Sequence, residues 1–210
     1  MIRTIGARQA AAHARELNSM HHLRARVFGG RLGWDVTITE AGEVDRYDAL
    51  GPVHLVHIGC DGEVDGCARL LPATGPTMLR DTFPVLLGGR PLRTAGVWES
   101  SRFAVDTARA GCGDARGLAR VTFELIAAEY EHALANGIGE IVTVTDVRME
   151  RILVRAGCAW ERIAEPQTIG VTRAVAGYIA MTEEGLARVR ALGGLDGPVL
   201  EPAAAARVAA

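Results

Sequence analysis

Lysine is absent from the chain: all 23 basic residues are arginine. No lysine nucleophile or Schiff base is therefore available, because a guanidinium keeps its proton and makes planar, two-pronged bonds to carboxylates and phosphates instead. A GC-rich genome accounts for the bias without any functional demand. Charge of one sign is also lacking. With a formal net charge of −2 there is no broad basic excess to displace counterions, which argues against a dedicated nucleic-acid binder. No apolar run approaches the roughly 18 to 20 residues of a membrane-spanning helix, and Met1-Ile2-Arg3-Thr4 lacks the charged-then-apolar build of a signal peptide. The expected compartment is the cytoplasm, with no membrane partner. Cysteine is sparse. Cys60, Cys67, Cys112 and Cys158 form no C-x-x-C pair and no cluster with histidine, so they read as buried thiols rather than a zinc site or a disulfide framework. His21 and His22 are adjacent, and His54-x-x-His57 falls in a strand pattern that sends the two rings to opposite faces, so no metal site is expected.

What is present is a folding chain. Of the 210 residues 49% are apolar and 23% charged, the reverse of a disordered composition. At about 150 residues per domain the length gives roughly 1.4 domains, read as one domain over 1–192 and a loose Ala-, Gly- and Pro-rich tail over 193–210.

The first forty residues predict a helix with Leu17, Met20, Leu23 or Arg24, and Val27 or Phe28 on one face, stopped by Gly29-Gly30. Residues 31–52 show no period but hold Trp34 and the acidic cluster Glu43, Asp45 and Asp48, the marks of a structured loop with a task. Val53 to Cys60 and Val64 to Leu71 read as a hairpin turned at Gly62. A short apolar stretch over Met78 to Phe83 precedes a strand from Val97 to Val105. Then come a helix from about Ala115 to Asn136, a strand over Glu140 to Thr145, a helix over Val147 to Ala156, strands near Ala159 to Ile163 and Thr168 to Met181, and a helix opened by Thr182. Early strands followed by strand-helix alternation indicate a single α/β sandwich around a mixed sheet.

The strand Val97 to Val105 is apolar at its ends and Glu99-Ser100-Ser101-Arg102 in its middle. Burying such groups without partners costs several kcal/mol, so they find partners or line a cleft, and Arg24, Arg69, Glu43, Asp45 and Asp48 are the candidates. Alternation puts Glu99 and Ser101 on one face and Arg102 on the other, so joint action of the three needs a bulge. Phe28 and Trp34 could pair as an aromatic wall or fill a core. Arg148, Arg151 and Arg155 form a basic stripe on one helix, either a solvated face or a dock for an acidic partner.

Together these residues resemble the LuxI-type acyl-homoserine lactone synthases. The resemblance is carried by Arg24-x3-Phe28-x5-Trp34, Glu43-x-Asp45-x2-Asp48, Arg69-Leu70-Leu71-Pro72, Met78-x4-Phe83-Pro84 and Trp98-Glu99-Ser100-Ser101-Arg102-Phe103. The C-terminal half adds Ile141-Val142-Thr143-Val144-Thr145, Met149-Glu150-Arg151 through Arg155-Ala156-Gly157, and Arg173-Ala174-Val175-Ala176, for coverage of about 10–192. It implies an N-acetyltransferase-like, three-layer sandwich with a V-shaped cleft between splayed strands. It also implies a reaction in which an acyl group passes from a carrier-protein or coenzyme A thioester to the amine of S-adenosylmethionine, and the product closes to a lactone with release of methylthioadenosine. Both molecules are substrates; no tightly bound cofactor is expected, and a separate receptor reads the product.

On that resemblance, Glu99 is the expected base, with Ser101 and Arg102 beside it at the reacting centre. Arg24, Phe28, Trp34, Glu43, Asp45, Asp48, Arg69 and Arg102 hold S-adenosylmethionine: Asp45 and Asp48 for its cations, Arg24 or Arg102 for its carboxylate. Met78, Phe83, Phe103, Thr143 and Thr145 form the acyl pocket, and in the family a threonine at the place of Thr143 goes with 3-oxo chains. Arg148, Arg151 and Arg155 match the carrier-docking position. Replacing Glu99 or Arg24 with alanine is expected to remove most activity and leave the fold intact. An ordinary acetyltransferase shares the fold but wants a clean pyrophosphate loop, and Arg109 to Gly113 is a poor one.

Overall fold

Of the nine residues Val64–Pro72 the first eight are buried, so this strand has a layer packed on each of its faces. It is the third strand of an eight-stranded mixed sheet in a computed structural model that describes residues 1–108 and 119–202. In chain order the strands are β1 (Ile2–Ile5), β2 (Ile38–Thr39), β3 (Gly42–Glu43), β4 (Val53–Ile58), β5 (Val64–Pro72), β6 (Val97–Val105), β7 (Glu140–Asp146), β8 (Trp160–Arg162), β9 (Gln167–Ile169) and β10 (Thr172–Ala180). The helices are α1 (Ala14–Arg24), α2 (Met78–Asp81), α3 (Arg120–Ala135), α4 (Val147–Arg155) and α5 (Glu183–Gly193). The sheet runs β1-β4-β5-β6-β7-β10-β8, β9 pairs with β10, and β2 with β3 forms a separate ribbon. Every pair in the large sheet is antiparallel except β6 with β7.

Period 2 divides the side chains between two layers. On one face Leu55, Leu70, Val105, Ile141 and Ile179 pack against α3, α4 and α5. On the other, Val56, Cys67 and Ala104 meet Met20 and Leu23 of α1, while Val97, Val142 and Ala176 meet Leu79 and Leu86. The result is the three-layer, N-acetyltransferase-like α/β sandwich that the sequence implies.

Two irregularities in β6 shape its middle. Its parallel pairing with β7 ends at Ser100 opposite Thr143, yet β6 stays paired with β5 as far as Val105 and β7 with β10 as far as Asp146. The two strands therefore part, leaving a V-shaped opening. In addition, Cys67 faces Ala104 while Arg69 faces Ser101, so Arg102 and Phe103 together oppose Ala68. This bulge puts Arg102 at φ 54°, the sole non-glycine with positive φ among the described residues.

The fold differs from the sequence reading in four places. The first forty residues hold β1 ahead of the helix, and α1 continues as a wider π turn, Ala25–Arg31, through Gly29 and Gly30 instead of stopping at them. The single strand expected over Thr168 to Met181 is the hairpin β9–β10, turned at Gly170 with φ 56°. The expected loose tail is fixed up to Glu201: Leu200 bridges Ile2, and Glu131 accepts the Val199 and Leu200 N–H groups at 3.0 Å. The reason is that Leu195 and Val199 find apolar cover against α3 and α5. Lastly, Cys60 is exposed while Cys67 and Cys158 are buried, their thiols pushed up to about 12 by burial. Residues 203–210, Cys112, the stretch Arg109 to Gly113 and the expected start of α3 lie outside the described residues. Among the described residues no helix is long and apolar enough to cross a membrane, and no three His, Cys, Asp or Glu side chains group as a metal would require.

His57 ties β4 to β5 and α3. Its Nδ1 bonds Asp65 and its Nε2 lies 3.2 Å from Glu124. Burial alone would lower the imidazole, but the two carboxylates outweigh it and hold the group at about 9. A group raised in the folded state stabilises fully below its unfolded value and loses that contribution as pH rises through the folded one. Denaturant midpoints should therefore fall between about pH 7 and pH 10 by the equivalent of about 2 kcal/mol, and His57→Gln should flatten that slope.

Candidate active site

Three arginines and three carboxylates meet on the α1 face of β5 and β6. Arg24 comes from the end of α1, Glu43 from β3, Asp45 and Asp48 from the loop after it, Arg69 from β5, and Arg102 from the bulge in β6. Local chemistry prepares the acidic side. Gly42, at φ 97°, lies so close to α1 that any Cβ there would collide with the His21 backbone, and this contact sets Glu43 under Arg24. Asp45 accepts the Tyr47 N–H at 2.8 Å and Asp48 accepts the Asp45 N–H at 2.8 Å, so the loop is folded by its own carboxylates.

The charges interlock. Arg24 donates from Nε to Glu43 at 2.5 Å and from both terminal nitrogens to Asp48 at 2.8 and 2.9 Å. Arg69 donates to Asp45 at 2.6 and 3.0 Å, to Asp48 at 2.9 Å and to Ser101 Oγ at 3.1 Å. Arg102 reaches Glu43 at 2.9 Å and Asp45 at 2.7 Å. Three positive and three negative charges leave no net charge. Burial would raise the Asp48 and Asp45 carboxyls, but Arg24 and Arg69 on Asp48, and Arg69 with Arg102 on Asp45, hold both well below the ordinary carboxylate range. Arg24, Glu43 and Arg69 are sealed, with side-chain exposures of 0, 0 and 1%, whereas Asp45, Asp48 and Arg102 keep 16, 10 and 9%. The open edge of the cluster therefore consists of Arg102, Asp45 and Asp48.

Aromatic and sulfur groups line that edge. Phe28, on the π turn, stacks with Trp34 at 5.3 Å between centroids and 16° between planes, and the Arg102 guanidinium lies 5.4 Å from the Phe28 centroid. Met78 Sδ accepts from Arg69 and Arg102 at 3.4 Å each. Glu99 is 1% exposed, and its two oxygens accept the backbone N–H groups of Met78 and Leu79 at 2.8 Å. Burial raises this carboxyl, and the two N–H groups counter that only in part. Each oxygen has a further lone pair, so the group can still take a proton. The bulge that joint action of Glu99, Ser101 and Arg102 demands is present.

The five expected acyl residues do not form one cluster. Met78 and Phe83 pack with Tyr47 and Leu71 on the α2 face. Phe103 packs on the α3 side, and alternation along β7 sends Thr143 and Thr145 to the face of Ile141, also toward α3. Arg148, Arg151 and Arg155 are all exposed on α4. Three polar side chains near the site were not among the residues expected there. Tyr47 is buried with the Arg69 guanidinium 5.5 Å from its ring; His54, pushed down to about 4 by burial, pairs in register with Arg69; Glu129 of α3 holds Ser100. None of the three leaves a clear sequence signal: Glu129 is one of three glutamates on α3, with Glu124 and Glu131, and only the packing shows which of them is buried without a basic partner.

The autoinducer synthase family model matches residues 8–189. An acyl-homoserine-lactone synthase of Agrobacterium fabrum is 48% identical over 179 residues, which are 85% of this chain and 85% of that protein. The crystal structure of the AHL synthase LasI aligns with a TM-score of 0.79 at 35% identity over 96% of this chain and 98% of its own. A structure of the CoA-dependent acyl-homoserine lactone synthase BjaI with SAM and isopentyl-CoA reaches a TM-score of 0.84 at 24% identity, over 96% of this chain and 92% of that one, a likeness of fold.

Because Arg24 is buried between Glu43 and Asp48, alanine there should cost stability as well as activity, with Arg102 and Arg69 left to hold those two carboxylates. Arg69→Met should cost about 3–5 kcal/mol in urea denaturation. At Arg102 the backbone itself gives a finer test: Arg102→Gly should be more stable than Arg102→Ala by about 1 kcal/mol, since both lose the same ion pairs and only alanine is strained at positive φ.

Proposed function

The chain belongs to the autoinducer synthase family, and from that premise we propose that it is an acyl-homoserine-lactone synthase that joins S-adenosylmethionine to an acyl thioester. The observation that carries the reading is the open edge of the charge cluster, Arg102 with Asp45 and Asp48, beside the Phe28–Trp34 stack. S-adenosylmethionine bears a sulfonium, an ammonium and a carboxylate. Asp45 and Asp48 suit its cations, Arg102 suits its carboxylate, and the aromatic pair suits its adenosyl portion. Between the two arginines considered for the carboxylate, exposure favours Arg102, because Arg24 is sealed and spent on Glu43 and Asp48.

The first step forms a C–N bond between the amine and the thioester carbonyl carbon and breaks the C–S bond, releasing the carrier thiol. An α-amino group, with a reference pKa of about 8, is nearly a tenth neutral at pH 7, so a modest base suffices. Glu99, raised by burial, takes that proton directly or through a water. Backbone N–H groups of the bulged strand near Ser101 to Phe103 are suited to the tetrahedral oxyanion. In the second step the carboxylate oxygen attacks the carbon next to sulfur, forming the lactone C–O bond and expelling methylthioadenosine. Within one molecule such closures reach effective concentrations on the order of 10⁵ M, so the protein mainly holds the bent conformer.

The acyl chain enters the parting between β6 and β7, with Met78 and Phe83 on one side and Phe103, Thr143 and Thr145 on the other. Thr143 supplies a hydroxyl for a 3-oxo group. The exposed arginines of α4 favour an acidic acyl carrier protein as the thioester donor. In this reading the enzyme works in the cytoplasm and a separate receptor reads its product.

Purified protein supplied with S-adenosylmethionine and a panel of acyl-carrier-protein and coenzyme A thioesters should yield a homoserine lactone by mass spectrometry. No lactone from any thioester would sink the reading. Glu99→Gln should lower kcat by about 100-fold or more, with unchanged circular dichroism. The double variant Arg148→Glu, Arg151→Glu should raise KM for carrier-protein thioesters by about tenfold or more and leave coenzyme A thioesters unaffected; equal effects on both would remove the docking role.

A further inference from the structure

Glu129 is a carboxyl in the wrong surroundings. It sits at 4% exposure on α3, in the layer formed by Leu125, Ile126, Ala133 and Leu153. Among the described residues no basic side chain pairs with it, and its one side-chain hydrogen bond is accepted by Oε1 from Ser100 Oγ at 2.5 Å. A carboxyl buried with a single neutral partner costs several kcal/mol relative to an apolar residue of similar size, and neither the charge cluster nor Glu99 makes use of it. Its position is informative. Ser100 and Thr143 are the last registered pair before β6 and β7 part, so the Glu129–Ser100 pair runs from the helix layer to the apex of the cleft.

We propose that Glu129, acting through Ser100, is a positioning residue that lets the cleft discriminate acyl chains bearing an oxygen at carbon 3 from unsubstituted chains. The inference rests on the proposed function, in which the acyl chain occupies this cleft. Burial pushes the Glu129 carboxyl up to about 7, so near neutrality it can carry its proton. Protonation reverses the bond between them: the neutral acid donates its O–H to Ser100 Oγ, which turns the serine's own proton toward the cleft as a donor for a 3-oxo group. The ionised form draws that proton inward and leaves a serine lone pair facing the cleft, an acceptor for a 3-hydroxy group. Either way the carboxyl fixes which way the serine hydroxyl points.

The test compares kcat/KM for 3-oxo, 3-hydroxy and unsubstituted thioesters of one chain length. In Glu129→Leu the preference for an oxygenated chain should fall about tenfold through KM, the value of one hydrogen bond to substrate, while thermal stability stays level or rises. Glu129→Gln, whose amide can still donate to Ser100, should keep most of the 3-oxo preference. Ser100→Ala should reproduce the loss, and the Glu129→Leu, Ser100→Ala double variant should lose no more than either alone. Loss confined to the 3-oxo arm or to the 3-hydroxy arm supports the proposal and identifies the group read. An unchanged preference in Glu129→Leu, or a wild type that treats all three chains alike, overturns it. A wild type that makes no lactone from any thioester refutes the proposed function instead, and this inference with it.

Discussion

The neutral interlock of Arg24, Arg69 and Arg102 with Glu43, Asp45 and Asp48 is the interaction on which the rest of the site depends. Six charges held this close are tolerable out of water only because each faces an opposite partner at hydrogen-bond distance. The cluster also ties together the end of α1, a short ribbon, an irregular loop and two adjacent strands of the sheet. An arrangement so tightly satisfied holds its open edge, Arg102 with Asp45 and Asp48, in a fixed geometry.

The bulge in β6 is the geometric counterpart of that interlock. Without it, alternation would turn Arg102 to the α3 face, away from Glu43 and Asp45. With it, Ser101 and Arg102 both serve the charged face, while Phe103 and Val105 return to the α3 side. The strain of a left-handed arginine is borne because Glu43, Asp45 and the neighbouring strand over-determine its position. The same strand then parts from β7, so a polar half-site and an apolar passage come from nine consecutive residues.

Polar groups recur on the α3 side of that passage. Ser100 and Glu129 stand where an all-hydrocarbon wall would be cheaper, which separates the layer that merely fills the core from the part of it that faces the cleft. The two faces of β6 thus differ in character, an interlocked set of charges on the α1 side and an apolar layer interrupted by the Ser100–Glu129 pair on the α3 side.

By itself the sequence determined much of this protein. The period of its apolar residues specifies β4, β5, β6, β7, α4 and α5 nearly to the residue, because buried faces impose a period of 2 or 3.6. Its motifs name the members of the charge cluster, because charges that must be buried together constrain residue type at every position. The edge strand β1, the docked tail up to Glu201 and the β9–β10 hairpin were not legible, since short edge segments take their stability from neighbours distant in the chain. The sequence also could not tell which arginine is sealed, that Glu99 holds the backbone of α2, that Met78 and Thr143 lie on opposite faces, or that Glu129 is buried. Those are matters of register and burial, decided only when the bulge and the parting of the strands fix which side of the sheet each residue meets.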